Sequence, residues 1–144
     1  MSTRELITQD IISALKQSND PRFGLVSREP IDPQKLSRAQ FPALFVSGAS
    51  EERADITNKS SQGVRRQARV EFNITGYVQG ANLDQQRNDL IEAVEDRLDQ
   101  DRTRGGLALD TQVILIETDD AQIAPEAVCL ITVAVTYTYI KGNS

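Results

Sequence analysis

Apolar positions recur along this chain with two periods, and the places where one gives way to the other divide it into elements. Over 3–16, Leu6, Ile7, Ile11, Ile12 and Leu15 recur at helical spacing, which predicts an opening helix capped by Ser2 or Thr3 near Glu5. Ser18-Asn19-Asp20-Pro21 stops it, because proline disfavours helix for the residue before it. A short strand is expected over 22–27, then a loop over 29–40 with one helical turn around 34–39. Phe41-Pro42-Ala43-Leu44-Phe45-Val46 reads as a second strand, with Pro42 at its start or on an edge, since it cannot donate to a ladder.

The longest patterned stretch runs over 64–98. Val64, Ala68, Val70, Phe72, Ile74 and Val78 fall on one parity, and Arg65, Gln67, Arg69, Glu71, Asn73 and Thr75 on the other. Such alternation describes a strand with one face on a core and one face wet. After Gln79-Gly80-Ala81 the period becomes helical: Leu83, Leu90, Ile91, Val94 and Leu98 recur, with Arg87 in the polar gap. Asn82 is the expected N-cap, with Gln85 three residues later as in a capping box.

The polar stretch over 48–63 then reads as part of a long β-hairpin, over 43–79 as a whole, with its tip at 59–63. A strand over 107–117 centred on Val113-Ile114-Leu115-Ile116, a turn over 119–126 and a last strand over 128–140 complete the pattern. That last strand is apolar on both parities over 128–135, which suits a central position covered on both sides. The order is α-β-β-β-α-β-β: an α+β fold with a mostly antiparallel sheet of four to five strands and two helices packed on it. At 144 residues the chain is expected to form one domain.

Composition narrows the chemistry. The chain has no histidine, which removes the commonest general base and metal ligand together. Its single cysteine, Cys129, lies in an apolar strand and is expected to be a buried, inert thiol. No glycine-rich phosphate loop is present, since Gly105-Gly106 sits between a helix and a strand. No catalytic triad can be named, and an acid-studded helix face (Glu92, Glu95, Asp96, Asp99) is ordinarily just solvated. The expectation is therefore a protein without enzymatic activity, metal or cofactor. No apolar run is long enough for a membrane helix, and no leader opens the chain, so a cytoplasmic site of synthesis and no membrane partner are expected. The net charge of −5 argues against overall attraction to nucleic acid, although a local basic patch is compatible with it.

Two charged groups stand out. Lys59, Arg65, Arg66 and Arg69 lie at the hairpin tip and the start of the long strand; Glu92, Asp96 and Asp99 lie on the second helix. Each has a plain reading, a charged edge that prevents aggregation and a solvated helix face. Each also reads as a contact surface, the bases for a neighbouring subunit or a nucleic-acid backbone, the acids for a basic neighbour.

The full pattern resembles the phage tail terminator proteins, the minor tail protein U-like or tail-completion family. The likeness lies in the opening helix, the phrase Phe41-Pro42-Ala43-Leu44-Phe45-Val46, the polar stretch with Gly48 and Glu51-Glu52, and the strand Arg69-Val70-Glu71-Phe72-Asn73-Ile74. It continues in the helix ending Glu95-Asp96-Arg97 and the closing strand with Thr136-Tyr137. The resemblance implies a structural virion protein: a homo-hexameric ring that caps the head-proximal end of the tail tube, stops its polymerisation and joins the head connector. Implied partners are further copies of the chain, the tail tube protein, the head-tail connector or neck protein, and DNA passing through the lumen. Implied locations are the tail and neck of the virion and, during assembly, the host cytoplasm. In that setting Lys59, Arg65, Arg66, Arg69, Glu92, Asp96 and Asp99 become inter-subunit, lumenal or inter-ring contacts, and the hairpin tip is expected to order fully on assembly. Alternatives are a neck, head-completion or tube-associated virion protein, a non-viral ligand-binding α+β domain, and a carboxylate enzyme using a divalent cation.

Overall fold

A computed structural model describes residues 2–17, 23–55, 65–118 and 126–140, apart from the side chains of Asp55 and Ile140. The stop at 18–21, the hairpin tip with Lys59, Val64 and most of the 119–126 turn lie outside the described residues. The order is α1 (Thr3–Lys16), β1 (Leu25–Ser27), two short 3₁₀ turns (Pro33–Lys35 and Arg38–Gln40), β2 (Ala43–Asp55), β3 (Arg65–Gln79), α2 (Leu83–Asp99), β4 (Asp110–Thr118) and β5 (Glu126–Ile140). The five strands form one sheet in the order β1-β2-β3-β5-β4. All pairs are antiparallel except β1 with β2. The α+β architecture and the order read from the periodicities are thus those of the structure.

One parity of each long strand makes the core. Ala68, Val70, Phe72, Ile74 and Val78 of β3 stand beside Tyr137, Val135, Val133, Ile131 and Ala127 of β5, and all are buried. Ile7, Ile11 and Leu15 of α1 and Leu90, Val94 and Leu98 of α2 pack onto that face. Gly76 marks how closely α2 approaches: a Cβ there would stand 2.5 Å from Leu90 Cδ2 and 2.8 Å from Cys129 Sγ. Cys129 itself is buried.

The opposite face is different. Arg69 is exposed there, and Glu71, Asn73, Thr75 and Tyr77 are half-buried. No described helix covers it. The two-sided cover expected for β5 is therefore half right. The strand is interior to the sheet, and its second apolar parity ends on Thr132 and Ala134, buried on a face without a helix.

Local chemistry explains the boundaries. Ser2 caps α1, its hydroxyl accepting from the Glu5 amide at 3.1 Å. Pro42 follows a cis peptide bond and lies just before β2. Two 3₁₀ turns replace the single helical turn expected over 34–39. Asn82 departs from expectation. It sits at the N-cap of α2 in the left-handed region (φ 55°, ψ 48°), where its side chain makes no capping bond. Gln86 does the tying instead, its amide donating to the Gln79 carbonyl at 3.0 Å and the Ala81 carbonyl at 2.5 Å. The strand expected from 107 begins only at Asp110, because Arg104, Gly105 and Gly106 all hold positive φ and turn the chain first.

Candidate functional site

The described charges fall on opposite sides of the sheet. Arg65 and Arg69 share a parity of β3 with the uncovered face, and Arg66 lies on the other parity. Arg69 approaches Glu71 at 3.7 Å. Arg65 Nη1 donates to the Thr138 hydroxyl at 3.5 Å across the ladder. Glu92, Asp96 and Asp99 are all exposed on α2, whose buried stripe is Arg87, Leu90, Val94 and Leu98. The sheet thus stands between Arg65 and Arg69 on one side and the acids of α2 on the other, with Arg66 on the parity of the helix-covered face. Arg87, the polar gap in that stripe, is itself buried and donates to Asp84 at 2.9 Å.

A polar cluster that the sequence does not announce ties the far end of the sheet to α1. The Tyr137 hydroxyl donates to Glu51 Oε1 at 2.6 Å. Glu51 Oε2 accepts from Arg4 Nη1 at 2.9 Å and from Arg53 Nε at 2.5 Å, and the Arg53 guanidinium lies 4.9 Å from the centre of the Tyr139 ring. Tyr137 and Glu51 lie on β5 and β2, with β3 between them; Ala68, level with both Tyr137 and Arg53, leaves room for the contact. Burial alone would raise the Glu51 carboxyl, but the Tyr137 hydroxyl and the two guanidinium groups outweigh it and hold it below the usual range. Burial pushes the Tyr137 hydroxyl well up, and the Glu51 carboxylate adds to the shift.

A second pair of arginines locks the helices. Arg97 Nε donates to the Ala14 carbonyl near the end of α1 at 2.6 Å. Arg104, 1% exposed, donates to the carbonyls of Leu98 and Asp101 and lies 3.4 Å from Asp10 of α1. Each guanidinium thus satisfies carbonyls that a helix C-terminus leaves open, with the charge sign that the helix dipole favours. Burial lowers the Arg104 pKa, with Asp10 and Asp101 opposing the shift. Only the proximity of Arg97, Arg102 and Arg104 to the acidic helix is visible in the sequence.

A groove of ≈ 430 Å³ runs between the start of α1 and the outer side of β2. Val46, Val70 and Phe72 line it together with Ser2, Arg4, Glu5 and Thr8 of α1 and Arg28. Arg28 holds Glu5 through two bonds of 2.8 Å. On the other margin of the sheet, β4 exposes Ile114, Leu115 and Ile116. Among the described residues no three His, Cys, Asp or Glu side chains gather as a metal site. Among the described residues no helix is long and apolar enough to cross a membrane.

No family model matches the chain, and no curated protein matches it. Among solved structures, it is similar to a chain in the virion of a native gene transfer agent (GTA) particle. The two are 10% identical, with a TM-score of 0.41 over 96% of this chain and 92% of that one.

Proposed function

We propose that this protein is a non-enzymatic structural component of a tailed-phage virion, a tail terminator. In this reading six copies close into a ring on the head-proximal end of the tail tube, stop its growth and present a surface to the head connector. The observation that supports it best is the one-sided build of the chain. Helices cover one face of the sheet, while the other face, which carries Arg65 and Arg69, and both margins lack a described partner, and Glu92, Asp96 and Asp99 are exposed on the helix side. A subunit that closes a ring through heterologous contacts needs such surfaces. The station at the tail end comes from the resemblance of the sequence to tail terminators.

In the ring the uncovered face turns inward, so that Arg65 and Arg69 face DNA in the lumen, and the acids of α2 turn outward. Gold labelling of a tagged copy on intact particles tests this. Label at the head–tail junction is expected. Label elsewhere on the particle would overturn the terminator station, and unlabelled particles would overturn a virion role altogether.

A further inference from the structure

The sheet ends on two margins with open stretches at the same levels, 110–116 of β4 and 46–52 of β2. Beyond Phe45 no described strand pairs with the outer side of β2, which leaves 46–55 open. The outer side of β4 has no described partner along Asp110–Thr118. Open edges carry unpaired N–H and C=O groups, and proteins blunt them with charge or proline. β4 has no proline and carries charge only near its ends, at Asp110 and Glu117; between them Ile114, Leu115 and Ile116 are 39%, 49% and 41% exposed.

The register fixes which features share a height. Ile116 is level, through Ile131 and Ile74, with Val46, a wall of the groove under α1. Leu115 is level, through Thr132 and Asn73, with Ser47. Glu117 is level, through Leu130, Thr75 and Phe45, with Ser27, the neighbour of Arg28. At the other end Asp110, which holds Arg102 at 2.7 and 2.9 Å, is level through Thr136 and Arg69 with Glu52. At this second end charges of opposite sign stand at matching heights, Arg102 with Glu52; at the first, β1 already fills the edge of β2 at Phe45, so the matching stretches are 110–116 of β4 and 46–52 of β2. The directions agree as well. β2, β3, β5 and β4 alternate, so repeating the unit sideways sets β4 antiparallel to the next β2. Cyclic symmetry has no rise along its axis, so in a ring whose strands run along that axis level features meet, and the contact proposed here takes that unstaggered register.

We propose that β4 of one copy adds as a strand to the open edge 46–55 of β2 in the next copy, and that Ile116 enters the groove beneath α1. The proposal rests on the ring reading above and names the contact that closes it.

The test uses the full chain with Ser47→Cys and Leu115→Cys, singly and together, oxidised with copper–phenanthroline in solution and on tail tubes. The expected result is a disulfide-linked dimer when the two single variants are mixed, neither alone, and a ladder from the double variant. Dimers from Leu115→Cys alone would show β4 pairing with itself and overturn the proposal. Rings in negative stain without the Ser47–Leu115 link would overturn this contact and leave the ring reading standing. Absence of any oligomer in both settings would overturn both. Independently, Ile116→Lys is expected to weaken association at least tenfold with an unchanged urea midpoint, and wild-type association in that variant would also refute the contact.

Discussion

At the residue scale, the Glu51 cluster gives the fold a pH signature. The depressed Glu51 carboxyl contributes stability that is full above its unfolded value near pH 4.3 and is lost as pH falls through the folded one. The raised Tyr137 hydroxyl works the other way: its contribution is full below about pH 10 and is lost as pH rises beyond that. Urea unfolding across pH should therefore show the acid limb flattening in Glu51→Gln and the alkaline limb flattening in Tyr137→Phe. Tyr137→Phe should also cost about 1–3 kcal/mol near neutrality, the usual penalty for a buried acceptor that loses its donor. Gly76→Ala should cost about 1–3 kcal/mol through overpacking against Leu90 and Cys129. In that background Leu90→Ala should cost less than it does alone, and a double-mutant cycle reads the coupling. None of these contacts was legible in the sequence. Tyr137 and Glu51 are 86 positions apart, and they meet only because the register of two ladders sets Tyr137 level with Arg53 across a small Ala68, two residues along β2 from Glu51.

Among elements, periodicity located nearly everything that packing decides. α1, the long strand and α2 each carry an apolar face, broken in α2 only by Arg87, so their positions follow from burial. The misses are places where specific bonds override pattern. Gln86 rather than Asn82 secures the entry to α2, and Arg104 holds the turn that delays β4. Removing that second hold has a local consequence. Arg104→Ala should strand the carbonyls of Leu98 and Asp101 and the carboxylate of Asp10, at a cost of about 1–3 kcal/mol. Amide hydrogen exchange should rise at the end of α2 and in 100–109 while β3 and β5 keep their protection. Uniform loss of protection would show instead that the latch holds the whole fold.

For the whole molecule, the sheet stands between Arg65 and Arg69 on one side and the acids of α2 on the other, so either group can be reversed by itself. Reversing Arg65 and Arg69 to Glu should affect what passes through a ring, and reversing Glu92 and Asp96 to Lys what docks outside it. Mixed particles should then show both defects. If mixing the two variants restored head–tail joining, the bases and acids of neighbouring copies would be in direct contact, as the sequence alone allows. The reason the sequence allows both is physical: alternation assigns a residue to a face, but which face a helix covers depends on the crossover between strands. The four strands β2, β3, β5 and β4 also carry a consequence for stoichiometry. Because each copy would contribute an even, alternating set, any number of copies closes without a mismatched pair, and strand parity sets no ring size. Copy number would then follow from the angle at which one sheet meets the next. Native mass spectrometry of variants with altered bulk at Ser47 or Leu115 should show a shifted number of copies while closure itself survives.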